Sequence, residues 1–287
     1  MKYAVQLPVI RIKNEVQESV IDCLAVEEPL EIKLAYGAAE ARTVYNLAVT
    51  MRTPGNDGEL AAGFILTEGI ITTAAAIKSI AHVTAGCTEN SGNSILVSLY
   101  ETVVPRLGQQ ERNFYTTSSC GVCGKASIEA IYTTGNLQLQ HSSYPPLPAA
   151  LINSLPAKLN GPQEVFSATG GLHAATLFNT SGDLLLLRED VGRHNALDKL
   201  IGAAHTAAEI DLSRSILLLS GRASFELVQK AAMAGIPVIA AVGAPSSLAV
   251  SLASSLGITL IGFLRNERFN IYSAAQRIQL PAYENTY

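Results

Sequence analysis

Apolar and polar positions alternate through the first third of the chain in the way that β-strands require. The pattern predicts strands at residues 3–12, 20–26, 30–36 and 43–52, and further strands at 79–83 and 94–99. Between them a helical pattern begins after Asn56, which is predicted as the N-cap, with Glu59 completing a capping box. We therefore expect a β-rich N-terminal part that contains one helix.

The second half of the chain has a different pattern of apolar and polar positions. Residues 172–178 and 184–187 flank a turn and predict a hairpin. Three short apolar strands follow at 216–219, 238–242 and 259–264, separated by helical patterns at 223–234 and 246–256. This β-α-β-α-β series predicts parallel strands, and we expect an α/β fold with a mixed sheet and helices on both faces.

A proline-rich stretch marks the boundary that we expect between the two halves. Residues 144–148 read Tyr-Pro-Pro-Leu-Pro, after a predicted helix at 126–132 and before helical residues that resume at Ala149. The prediction is an N-terminal part at 1–145 and an α/β part at 146–287.

Composition excludes some classes of function. The chain has 287 residues, 48% of them hydrophobic, and a formal net charge of −4, which disfavours a broad basic surface for nucleic acid. Its first residues do not resemble a secretory signal, and no segment is apolar enough over sufficient length to span a bilayer. We expect a cytoplasmic protein with no nucleic-acid or membrane partner.

Two cysteines stand three positions apart, in the segment Cys120-Gly121-Val122-Cys123-Gly124. In a reducing compartment such a pair calls for a chemical explanation rather than a structural disulfide. The flanking glycines permit a tight turn, and Lys125 with a following helix start would lower a thiol pKa. A reactive thiolate is therefore plausible at this segment.

The pair by itself is compatible with three chemistries. A zinc site would need four ligands; Cys23 and Cys87 do not form a second close pair, although His82 and Cys87 could complete a site, and no permanent metal is predicted. A dithiol oxidoreductase would use both thiols for disulfide exchange. In a sulfur relay, one thiolate would take up sulfur as a persulfide and hand it on. The spacing does not decide among these alternatives.

Residues suited to an anionic ligand follow the predicted parallel strands. Ser220, Gly221 and Arg222 end one strand and open a helix, where backbone N–H groups and a guanidinium could hold a phosphate. The last strand continues into a polar and cationic stretch that could bind a nucleotide: Phe263, Leu264, Arg265, Asn266, Glu267 and Arg268. An exposed, solvated strand end is the simpler alternative for that stretch.

Two further segments are candidates for the same site. Gly170 and Gly171 precede His173, where an ordinary turn and a structural histidine are the simpler interpretation. Asp190, Arg193 and His194 lie in a dense group of charges between a strand and a helix, where Asp190 could also be an N-cap. Surface ion pairs add little stability, which favours ligand binding for this second segment.

Taken together, the cysteine segment, the run Arg188 to Lys199, the Ser220-Gly221-Arg222 turn and Gly262 to Arg265 closely resemble the FdhD family of formate dehydrogenase accessory sulfurtransferases. The resemblance covers most of the chain. The run from Asp190 to Lys199 is specific to that family, whereas the cysteine spacing is common.

The resemblance implies a function and a fold. Sulfur would pass from a cysteine desulfurase to a molybdenum or tungsten bis-pterin guanine dinucleotide cofactor, which is then delivered to formate dehydrogenase. Cys120 matches the cysteine that carries the persulfide, Cys123 matches its loop partner, and Phe263 to Arg268 match the cofactor-binding stretch. The larger domain would resemble the cytidine deaminase fold, without deaminase chemistry because the zinc signature is absent, and the protein would be a homodimer.

Overall fold

Two β-sheets lie on either side of a layer of α-helices in the computed structural model, which describes residues 3–83, 92–107, 144–159, 169–207 and 209–280. The chain opens with a two-stranded antiparallel ribbon, β1 (Ala4–Lys13) and β2 (Val16–Ala25), which pairs from end to end without a bulge. The predicted strand at 20–26 therefore starts four residues earlier, because the tight turn at Asn14 and Glu15 leaves Val16 already paired with Lys13.

The smaller sheet forms the first layer. Its strands lie in the order β4-β3-β6-β5. Their bounds are β3 (Glu28–Tyr36), β4 (Thr43–Arg52), β5 (Ile77–His82) and β6 (Ser94–Leu99). The alternation in β3 places Leu30, Ile32 and Leu34 in the core, as expected for a sheet with one buried face.

Helix α1 (Asp57–Thr67) covers the smaller sheet and contributes Leu60, Ala61 and Ile65 to its core. Asn56 is its N-cap residue, but the capping box predicted there is wrong. Asn56 adopts the left-handed conformation, with φ 56°, and its side chain caps no N–H group. The carboxylate of Glu59 instead accepts hydrogen bonds from Arg188, on the far side of the helix layer.

The larger sheet has six strands in the order β13-β12-β11-β10-β8-β9. A small pair, β7 (Leu147–Pro148) with β14 (Ile278–Gln279), lies apart from it, and α2 (Ala149–Ser154) follows β7. The six strands are β8 (His173–Phe178), β9 (Leu184–Asp190), β10 (Ile216–Leu219), β11 (Val238–Ala241), β12 (Thr259–Arg265) and β13 (Arg268–Ser273).

The predicted parallel series is confirmed, since β10, β11 and β12 are parallel neighbours. The sheet as a whole is mixed, as expected, because β8 and β13 pair antiparallel at either side of this trio. The helices that connect the strands are α3 (Arg193–Thr206), α4 (Phe225–Met233) and α5 (Ser247–Ser255).

The two faces of the larger sheet are covered unequally. Helices α3, α4 and α5 all contribute to one core cluster, on one face. The other face packs against α2 and a 3-10 helix at Pro156–Leu159. Helices on both faces are thus confirmed, but the long ones share a face because neighbouring parallel strands joined in sequence place their right-handed crossovers on the same side.

Helices α1 and α3 cross in very close contact and join the two layers. A Cβ atom on Gly63 of α1 would lie 1.9 Å from the carbonyl oxygen of Asp198, and one on Gly202 of α3 would lie 1.9 Å from that of Glu59. Both distances are far below any real van der Waals contact. Glycine is therefore required at each position for the backbones to approach this closely.

Buried ionic groups reinforce this crossing. Lys230 of α4 has its Nζ 2.9 Å from a carboxylate oxygen of Asp198 and 2.9 Å from one of Glu68, and it also donates to Thr67. These carboxylates raise the pKa of Lys230 above its ordinary value despite burial.

Within the described residues, no helix has both the length and the apolar composition needed to cross a membrane. The domain boundary at residue 145 stays a prediction.

Replacing Gly63 with alanine should destabilise the fold by about 3 kcal/mol or more, because the added methyl group would force α1 and α3 apart. The free energy of unfolding, measured by urea denaturation, tests this. Gly58→Ala is the matched control on the same helix, since its Cβ would meet only Ile80 at 3.7 Å. That control should gain roughly 0.5–1 kcal/mol from helix propensity. Equal stability of the two variants would contradict the prediction.

Candidate functional site

One edge of the larger sheet collects the carboxyl ends of four strands. Strands β10, β11 and β12 run parallel, and β9 runs in the same direction because it pairs antiparallel with β8, which pairs antiparallel with β10. Helices α3, α4 and α5 begin at this edge, so three helix N-termini lie there. Their free N–H groups and positive dipole ends favour an anionic ligand.

Three glycines line the edge where the parallel strands end. Gly243 donates its N–H to the carbonyl of Gly221 at 2.9 Å and accepts from the N–H of Phe263 at 3.0 Å, which joins the three strand ends laterally. A Cβ on Gly243 would lie 3.0 Å from Cγ of Arg222, and one on Gly262 would lie 2.7 Å from Pro245. Glycine is therefore required at Gly243 and Gly262 for the neighbouring strand ends to pack this closely.

His173 begins β8 at the same edge, opposite Asp190 in the strand register. Its ring lies beside Gly221, where a Cβ would be 3.4 Å from Nδ1. The adjacent Ser220 is tied to β8, because its Oγ accepts from the N–H of Ala174 at 2.8 Å. Burial and the charge of Arg193 lower the pKa of His173, so the ring is neutral at neutral pH.

Two buried polar atoms at the helix starts have no hydrogen-bond partner in the part of the chain that the structure describes. One is Nε of Arg193, in the first turn of α3. The other is Oγ of Ser224, the N-cap residue of α4, which makes no side-chain capping bond. Ser246, the equivalent residue of α5, does cap its helix by accepting from Ala249. The starts of α3 and α4 thus each carry a buried polar atom, the Nε–H donor of Arg193 and the hydroxyl of Ser224, that makes no hydrogen bond within the described residues.

Asp190, unlike the other predicted site residues, is buried with its carboxylate already hydrogen-bonded within the protein. Its carboxylate is fully buried and accepts from the backbone N–H groups of Thr53 and Gly192 and from the side chains of Asn195 and Lys199. Burial raises the pKa of Asp190, and the 2.7 Å contact with Lys199 opposes that shift. With its oxygens already occupied, Asp190 holds the start of α3 in place. The N-cap position proposed for it belongs to Gly192.

The remaining predicted residues divide between the edge and the core. His194 is buried, with Nε2 4.0 Å from a carboxylate oxygen of Glu226 in the first turn of α4. Gly170 has φ 66° and open space where a Cβ would be, and Gly171 lies beside Ala25 of β2. These two glycines therefore form an open turn next to His173, at the base of the N-terminal ribbon.

The stretch from Phe263 to Arg268 does not act as one unit. Phe263 has φ 54°, which is rare for an aromatic residue, and it lies in the irregular part of β12 beside Gly243. Leu264 points into the core at 1% exposure. Arg265 pairs with Arg268 across the exposed two-residue turn of Asn266 and Glu267, both with positive φ. Backbone strain of this kind clusters at functional sites, so Phe263 is the strongest candidate within the stretch.

Two residues of this edge were missed in the sequence. Ser224 and Tyr272 belong to it, the latter with a ring carbon 3.0 Å from the Cβ position of Gly262. Tyr272 is on β13, whose pairing with β12 no local pattern reveals.

Cys120 and Cys123, the predicted sulfur-carrying residues, lie outside the described residues, as does Cys87. Among the residues that are described, no three metal-ligating side chains come together. Cys23 is half-buried on β2, and His82 has Nε2 3.5 Å from a carboxylate oxygen of Asp57.

Comparison with known sequences identifies relatives over nearly the whole length. The sequence model of the FdhD/NarQ family matches residues 25–279. The protein named sulfur carrier protein FdhD from Streptomyces avermitilis is 50% identical over 278 residues, covering 96% of this chain and 95% of its own. The protein of the same name from Mycolicibacterium paratuberculosis is 53% identical over 261 residues, covering 90% and 92%.

A solved structure shows the same fold. It is the crystal structure of a protein from Desulfotalea psychrophila, described as a candidate formate dehydrogenase accessory protein. The match has a TM-score of 0.71 over 96% of this chain and 100% of the other, at 24% sequence identity. At that identity the likeness concerns the fold alone.

Replacing Arg193 with glutamine should raise the pKa of His173, because the nearby positive charge that disfavours the imidazolium is removed. The pKa should stay below the ordinary histidine value, since burial is the larger cause. Titration of the His173 ring signals by NMR measures it. Arg222→Gln removes a charge from the same edge and is expected to shift this pKa less. An unchanged His173 titration in the Arg193 variant would refute the arrangement.

Proposed function

The chain belongs to the FdhD/NarQ family, and from this membership we propose that it is a sulfur carrier that serves formate dehydrogenase. It takes persulfide sulfur from a cysteine desulfurase and transfers it to the molybdenum or tungsten bis-pterin guanine dinucleotide cofactor. In this role it is a sulfurtransferase of the cytoplasm.

The cysteine pair supplies the carrier. Cys120 and Cys123 lie within the segment that the family model matches. The thiolate of Cys120 attacks the outer sulfur of the donor persulfide, a new S–S bond forms, and the desulfurase cysteine leaves as a thiolate. Cys120 then bears the persulfide until the sulfur passes to the cofactor. This loading step needs no external oxidant or reductant.

The edge of the larger sheet is the observation that supports an anionic acceptor. Three helix N-termini and the exposed Arg222 lie along this edge, together with Nε of Arg193, which makes no hydrogen bond within the described residues. A guanine dinucleotide carries a pyrophosphate that such a surface neutralises, and the aromatic ring of Phe263 offers a face for a purine. Asp190 and Leu264 contribute by positioning these groups. A likeness of this sheet to cytidine deaminases stays a prediction.

Persulfide formation on Cys120 tests the carrier role. After incubation with a cysteine desulfurase and cysteine, mass spectrometry of the full-length protein should show a gain of one sulfur atom that a reductant removes. Cys120→Ala should abolish the gain, because the nucleophile is lost. Cys23→Ala is the matched control and should keep it, since Cys23 lies on the ribbon strand β2.

Other outcomes would point to the competing chemistries. Absence of any sulfur adduct on the wild-type protein would overturn the carrier role. Stoichiometric zinc in the purified protein would favour a metal-binding assembly factor, and a reversible disulfide between Cys120 and Cys123 without an adduct would favour a dithiol oxidoreductase.

Binding of guanosine diphosphate tests the acceptor half. Arg222→Gln should weaken this binding about tenfold, as expected for the loss of one charge-assisted hydrogen bond to a phosphate. Isothermal titration calorimetry measures the change. Arg11→Gln, which removes another exposed arginine on β1, should leave affinity unaltered. Equal affinities of the two variants for guanosine diphosphate would show that the nucleotide does not bind at this edge.

A further inference from the structure

Asn195 joins the first turn of α3 to β4, an edge strand of the smaller sheet. Its Nδ2 donates to the carbonyl of Met51 at 2.8 Å, and its Oδ1 accepts from the hydroxyl of Thr50 at 3.1 Å. Both partners belong to β4. Asn195 is buried, at 8% exposure, so its amide links two layers of the fold through residues 144 and 145 positions apart.

The carbonyl of Met51 depends on this amide. Met51 lies opposite Pro29 of β3 in the strand register, and proline has no N–H group to donate. On the outer side of β4, no further strand of the described residues pairs with it. Asn195 therefore supplies a hydrogen bond that Pro29 cannot give.

The amide of Asn195 can serve its partners in one orientation only. Its Nδ2 also lies 3.2 Å from Oδ1 of Asp190, and because a carbonyl and a carboxylate only accept, the NH₂ group must face both. Gly192 packs against the same nitrogen, where a Cβ would lie 3.0 Å from Nδ2. The amide is thereby held between β4 and the segment that leads into α3.

Arg193 lies two positions before Asn195, in the same helical turn. Its Nε makes no hydrogen bond within the described residues, so no bond at that nitrogen holds the side chain in place. Its positive charge nevertheless acts on His173, whose pKa it lowers. The position of this charge therefore depends on how firmly the start of the helix is held.

We propose that Asn195 is a positioning residue for the anionic ligand, an inference that rests on the proposed binding of a guanine dinucleotide where β10, β11 and β12 end. By fastening the first turn of α3 to β4, Asn195 sets where Arg193 presents its guanidinium. It acts through Arg193, because its own amide is occupied by β4 and Asp190. An arginine that must first be ordered loses part of the free energy of its contacts with the ligand, so prior placement strengthens binding.

Two measurements on the full-length protein test the proposal: the pKa of His173 by NMR and the affinity for guanosine diphosphate by calorimetry. Asn195→Ala should raise the pKa of His173, because the charge of Arg193 is no longer held near the ring. It should also weaken binding about fivefold. In a protein that already carries Arg193→Gln, the same change should alter neither quantity further, because Asn195 acts through the arginine. Additive effects in the double variant would overturn the proposal, as would an unchanged His173 pKa in Asn195→Ala.

Thr50 gives a milder test that leaves the helix untouched. Thr50→Val removes the hydroxyl from which Asn195 accepts, and it should shift both quantities in the same direction but by less. Thr50→Ser keeps the hydroxyl and should behave as the wild-type protein does.

Thr67→Val is the matched control for a general loss of stability. It removes another buried hydrogen bond between the layers, from Thr67 to Asp198 at 2.8 Å, farther along α3. This variant should unfold at a lower urea concentration and leave the pKa of His173 and the affinity for guanosine diphosphate unchanged. Equal effects of Thr67→Val and Thr50→Val on these two quantities would show a general loosening of the layers and would overturn the proposal.

Failure of the proposed function would give a different result. If the wild-type protein does not bind guanosine diphosphate, the acceptor half of that function fails. The pKa of His173 still decides the present inference: a rise in Asn195→Ala shows that Asn195 places Arg193, and an unchanged value shows that it does not. Sulfur loading on Cys120 is measured separately and depends on neither outcome.

Discussion

The close crossing of α1 and α3 is the constraint on which the architecture depends. Each helix covers a different sheet, so the two sheets keep a fixed relation only if these helices cannot slide. Gly63 and Gly202 let each backbone rest directly against the other, and two contacts of this kind along one crossing fix both the distance and the register. A single methyl group at either point would have to move a whole layer rather than a side chain.

Polar contacts between the two layers hold the segment that leads into α3, and with it the candidate site, in a defined position. Arg188 reaches Glu59 of α1, and Asp190 accepts from Thr53 just beyond β4, so the segment that leads into α3 is held by the first layer. Burying Asp190 with Lys199 costs desolvation free energy that the pair roughly recovers through well-placed hydrogen bonds. The main effect of this buried pair is to fix the position at which α3 starts. If α3 started elsewhere, these buried groups would lose their partners. Arg193 lies in the first turn of α3, so its position is fixed as well.

The same placement brings positively charged groups to one edge of an acidic protein. The chain carries a net charge of −4, yet three helix N-termini and two arginines converge at one edge of the larger sheet. Asp190, the acidic residue nearest this edge in sequence, is neutralised internally by Lys199. Glu226 lies near His194 at the start of α4. The helix N-termini contribute positive charge at this edge although the total charge is negative, because the local contribution depends on which ends of helices meet.

Local periodicity and the short connections between elements predict the strands with clear alternation and the parallel series, and they lead to the expectation that the strand ends carry the site. The spacing of Cys120 and Cys123 singles out the cysteine pair, and the motif resemblance predicts its sulfur chemistry, which stays a prediction. Tertiary structure alone decided that Leu264 belongs to the core, that Asp190 is an internal tie and that Glu59 pairs with Arg188 instead of capping α1. These outcomes depend on contacts between residues more than 100 positions apart or on a bulge in β12, and no local pattern encodes either.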